Sequence, residues 1–109
     1  MIVGVCQIHL HLPAAHSLKE KRKVVRSLVE RLRARYNLSV AEVGHHDRWQ
    51  SAVLGLASAS LDGDAAHGLL SQAADFVAQS AGEFVVLDVA IEVIPVANET
   101  AGSTSPGWL

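Results

Sequence analysis

Histidine offers the first chemistry to weigh, because imidazole both ligates metals and titrates near neutrality. His9 and His11 stand two apart, the spacing that puts two rings on one face of a strand, and His45-His46-Asp47 makes a second donor cluster. Nucleophiles are fewer. Cys6, the single cysteine, alternates with Ile2, Ile8 and Leu10, which predicts a buried, inert thiol and rules out an intrachain disulfide. The eight glycines are scattered, with no Gly-x-Ser-x-Gly elbow and no phosphate-cradling loop. Glu42 and Asp47 would act as acid and base only across a cleft, and nothing in the sequence indicates one. No catalytic residue is expected, and the chain does not read as an enzyme.

Charge is the second source of chemistry. The net charge is −2, yet all nine Lys and Arg lie between Lys19 and Arg48. Residues 19–35 hold eight basic and two acidic side chains, a net +6, whereas residues 49–109 hold seven acids and no base. On a helix, Lys19, Arg22, Lys23, Arg26 and Arg33 fall within one arc of about 100°, interrupted by Glu30. Like charges so grouped repel one another unless a polyanion or acidic partner offsets them. These five are the candidate phosphate or RNA contacts. Trp49, beside Asp47 and Arg48, reads as a rim residue sealing core or interface in preference to a base-stacking platform.

The elements that position these groups follow from periodicity. Residues 2–12 alternate with period two and end at Pro13, a half-buried strand. Ser17-Leu18-Lys19-Glu20 forms a capping box opening a helix over 17–36, whose stripe is Leu18, Val25, Val29, Leu32 and Tyr36. Leu38–Val43 and Gln50–Ser60 predict two further strands around the polar corner 44–47. Asp62-Gly63-Asp64 opens a weaker helix to about residue 81, closed by Gly82. Phe84–Ile94 is the last strand, with Val85, Leu87, Val89, Ile91 and Val93 expected inward.

The order β-α-β-β-α-β predicts an α+β, ferredoxin-like split βαββαβ sandwich. It has a four-stranded antiparallel sheet with both helices on one face. One domain is expected over 1–95, with a flexible tail over 96–109. The opposite sheet face would carry Val3, Val5, Phe84, Val86 and Ala90, too apolar for comfortable exposure, so a homodimer through that face is expected. The two histidine clusters fall on strands separated by a third, roughly 9–10 Å apart. Zinc, with ligand nitrogens at about 2 Å, does not span that gap without the corner curling inward. His9, His11, His45 and His46 are therefore read as edge and turn residues, with no metal and no cofactor.

His16-Ser17-Leu18-Lys19-Glu20-Lys21-Arg22, then Val40-Ala41-Glu42-Val43, then Asp47-Arg48-Trp49-Gln50-Ser51-Ala52-Val53-Leu54-Gly55 resemble the YlxP family of small bacterial domains. The opening Met1-Ile2-Val3-Gly4-Val5 matches as well, so the likeness spans about residues 1–95. It implies a ferredoxin-like fold and, through the family's association with translation and ribosome-maturation factors, an RNA or ribosomal partner. It implies no catalytic residues. Acylphosphatases share such a fold, but their phosphate loop is not recognisable in Pro13-Ala14-Ala15-His16.

The leading expectation is thus a small binding domain that meets RNA or a ribosomal particle through its basic helix. The sheet lacks the paired aromatics of an RRM-type surface, which assigns the role to the helix. The alternative is a structural or protein-interaction homodimer with no nucleic-acid role, and a metal-dependent hydrolase is a distant third. No apolar run is long enough for a membrane helix or a signal-peptide core, so a cytoplasmic protein is expected.

Overall fold

The computed structural model describes residues 1–80 and 82–97; the rest of the expected tail lies outside the described residues. The elements are β1 (Ile2–His11), α1 (Leu18–Arg35), β2 (Ser39–Gly44), β3 (Ser51–Ser60), α2 (Gly63–Gln79) and β4 (Val85–Pro95). The strands form one antiparallel sheet in the order β2-β3-β1-β4, the ferredoxin-like arrangement. Among the described residues no helix is long and apolar enough to cross a membrane.

Period-two alternation builds the core. Cys6, Ile8, Leu10 and Leu12 from the β1 segment join Ala52, Leu54 and Leu56 of β3 and Val40 of β2 on the helix-covered face. Against them pack Val25, Leu28, Val29 and Leu32 of α1 and Leu70, Ala73, Ala74 and Val77 of α2. Gly4 lets α2 approach β1, because a side chain there would meet Leu70 Cδ1 at 2.8 Å and Ala66 Cβ at 3.2 Å. Burial pushes the Cys6 thiol up to about 11, so it is a packed core group with little thiolate.

α1 starts where the capping box places it. The Ser17 oxygen accepts from the Glu20 amide at 3.1 Å, and the Glu20 carboxylate accepts from the His16 amide at 2.6 Å. Tyr36, in extended conformation, closes the helix one residue before Asn37.

The last strand departs from the expected pattern. The β1–β4 register slips between His9 and Leu10, where Leu87 is an extra residue opposite β1. One bulge exchanges the faces on its two sides. Val86 pairs with Leu10 and packs on the core, and Phe84 is buried in it, so neither lines the open sheet face. Val85, Leu87 and Val89, expected inward, are exposed. Val3, Val5 and Ala90 keep the open-face parity assigned to them, opposite Ile94, Glu92 and Gln7.

Candidate functional site

Two places gather chemistry: the corner where β2 turns into β3, and the outer face of α1. Lys21 joins them. Its position is three residues after Leu18 and four before Val25, on the apolar stripe, so the helix drives its side chain inward and it is fully buried. There its ammonium donates to the carbonyls of His45 (2.8 Å), His46 (3.1 Å) and Ser51 (3.2 Å). Glu42 Oε2 stands 2.9 Å from the same nitrogen. An ammonium has three protons, and the carbonyls take all three, so Glu42 is held by charge and its Oε2 receives no aligned hydrogen bond. Glu42 reaches inward because it shares the parity of Val40, opposite Leu54 as Val40 is opposite Leu56. The pair ties α1 to the corner.

The corner itself curls over the open sheet face. A register slip between Glu42 and Gly44 and a left-handed residue at His45 (φ 62°) turn the chain back towards β1. His45 and His9, expected to stay two strands apart, therefore meet edge to face with ring centroids 5.0 Å apart. Ser51 Oγ lies between them, 2.6 Å from His45 Nδ1 and 3.0 Å from His9 Nε2. One hydroxyl proton serves one ring, so the other ring must donate to the oxygen. The half-buried His45 ring has its pKa lowered below the ordinary value of 6.5 by desolvation, then by Arg48, His9 and Lys21. The other histidines go elsewhere: His11 Nδ1 is 3.1 Å from the Gln50 carbonyl and His46 Nε2 is 3.1 Å from the Glu42 carbonyl. Among the described residues no group of three or more His, Cys, Asp or Glu is placed to hold a metal ion.

The outer face of α1 is sorted by what its cations already touch. Arg33 donates to the Val40 carbonyl at 2.6 Å, so the fifth member of the expected arc is engaged with β2. Arg31 reaches the Ser27 carbonyl at 3.4 Å, and Arg35 lies over the Phe76 ring at 5.1 Å. Lys19, Arg22, Lys23 and Arg26 are exposed and have no hydrogen bond or ion pair among the described residues. These four lie together on the open outer surface of α1, with Glu20 and Glu30 beside them. Neither carboxylate is within ion-pair distance of them. Cations at a helix N-terminus also oppose the macrodipole, so the face is electropositive twice over. Trp49 is 54 % exposed at the corner.

Comparison with known proteins returns no activity. A family described as "Protein of unknown function (DUF503)" matches residues 3–91. The uncharacterized protein YlxP of Bacillus subtilis (strain 168) is 34 % identical over 59 residues, covering 54 % of this chain and 64 % of that protein. The match thus spans slightly less than two thirds of the relative's length.

Proposed function

This chain belongs to the DUF503 family, whose function is unknown, and from that premise we propose that it is a binding module for RNA, held by its phosphates along the outer face of α1. The observation that carries this reading is the sorting of cations. Lys19, Arg22, Lys23 and Arg26 have no partner among the described residues and share one exposed arc. Folding consumes the cations around them in carbonyl and ring contacts, yet it spends nothing on these four.

Their spread fits a phosphate chain. Residues 19 to 26 rise about 10 Å along the helix, and the positive end of the macrodipole lies at the same place. Guanidinium and ammonium groups meet phosphates through charge-assisted hydrogen bonds that carry no base information. Binding is therefore tight at low salt and indifferent to sequence.

The experiment is a titration of labelled single-stranded RNAs of unrelated sequence with the wild-type chain and with Arg22→Glu/Arg26→Glu. The expected result is that the double reversal weakens every RNA alike while the melting temperature stays level or rises. Equal affinity before and after reversal removes the reading. Recovery of ribosomal particles with the tagged protein, lost on RNase treatment, extends the same test to cells.

A further inference from the structure

The two edges of the sheet are built differently. β2, at one edge, is six residues long, slips register at Val43, and has the Arg33 guanidinium on its Val40 carbonyl. Shortness, a bulge and a cation are the devices that keep a sheet edge from pairing. β4, at the other edge, runs eleven residues with no Lys or Arg and with proline only at its last position. Val85, Leu87, Val89 and Ile94 are exposed along it. Every second residue of an edge strand turns its N–H and C=O away from its neighbour, and among the described residues no strand receives those of β4.

We propose that β4 pairs antiparallel with β4 of a second copy of this chain, joining two four-stranded sheets into one across a two-fold axis. What satisfies a row of backbone donors and acceptors is another extended backbone, and the chain supplies one. Pairing β4 with another copy's β2 would be head-to-tail and would propagate, but β2 is blunted. Pairing β4 with itself is isologous and closes after two chains.

Charge fixes the register. Asp88 and Glu92 are the ionised side chains of β4. With Ala90 on the axis they would face each other, like charge against like. With Ile91 on the axis, Asp88 faces Ile94 and Glu92 faces Ala90, and the paired stretch lies wholly beyond the bulge at Leu87. This arrangement replaces the expected face-to-face dimer, which lost Phe84 and Val86 from its lining. A two-fold perpendicular to the sheet keeps all helices on one side, so both α1 faces point the same way.

The test uses the full chain. Light scattering at tens of micromolar should give twice 11.6 kDa. Amide exchange followed residue by residue under those conditions should show consecutive protection over 88–94. A monomer, whatever its exchange pattern, overturns the proposal, and so does a dimer in which alternate β4 amides exchange fast, the pattern of an open-face contact. Ala90→Pro and Ile91→Pro sharpen it, since one of two adjacent amides bonds β1 and the other points outward. The variant that keeps its fold should be monomeric, and a folded variant that stays dimeric contradicts β4 pairing.

Discussion

The inner and outer faces of α1 carry the same kind of side chain to opposite ends. Lys21 points in, fully buried, with its three protons on three carbonyls and a carboxylate 2.9 Å away. Lys19, Arg22, Lys23 and Arg26, within five residues of it, point out and make no side-chain hydrogen bond or ion pair among the described residues. Two residues along the chain are a 200° turn of helix, which separates a structural cation from an unused one. The contrast teaches that the net +6 of this segment is no measure of its binding charge. Lys21 and Arg33 belong to the fold, and the four outer cations are what remains for a ligand.

Mutation should split the two faces in stability. Lys21→Met leaves Glu42 without its counter-charge and three carbonyls without a donor, and breaking such a buried pair costs about 3–5 kcal/mol. Denaturant unfolding measures this, and a loss below about 1 kcal/mol would place the ammonium in solvent. Pairing the change with Glu42→Gln should return part of the loss. The outer reversal Arg22→Glu/Arg26→Glu should cost almost nothing in the same assay.

Arg33 lies between these extremes. Its partly buried hydrogen bond to Val40 is worth about 1 kcal/mol, so Arg33→Ala should lower stability by that order. The change also uncovers the β2 edge. Light scattering should then show species larger than a dimer, whereas an unaltered mass would mean that Arg33 does not guard that edge.

A smaller effect tests the corner that Lys21 holds. His45 has a folded pKa below 6.5, so between that lowered value and 6.5 the unfolded chain binds more protons than the folded one. Stability therefore rises with pH across this window and is lost as pH falls through it. His45→Asn, which tolerates the left-handed backbone at φ 62°, should flatten the dependence of melting temperature between pH 5 and 7 relative to wild type. Parallel curves for the two proteins would show that His45 is not its source.

The fold was largely legible because alternation and a capping box are local signals. Ser17 and Glu20 announce α1, and the parity of Cys6, Ile8 and Leu10 announces which face of β1 is covered. Three features were not, each for a physical reason. Lys21 is one of the eight basic side chains of residues 19–35, and its place between Leu18 and Val25, which puts it on the apolar stripe, is the signal that sets it apart. The bulges at Val43 and Leu87 insert single residues that no periodicity marks in advance, and they moved His45 towards His9 and Val86 into the core. Arg33 lies in the same helical arc as the free cations, and only the position of the Val40 carbonyl withdraws it.

The central claim, that the outer face of α1 is a phosphate surface, is tested most directly by salt. At about −0.7 per phosphate on a single strand, four contacts give a slope of log affinity against log salt near −3. Removing Arg22 and Arg26 should reduce it to near −1.5. A wild-type slope close to zero, or one unchanged by the double substitution, would contradict the account.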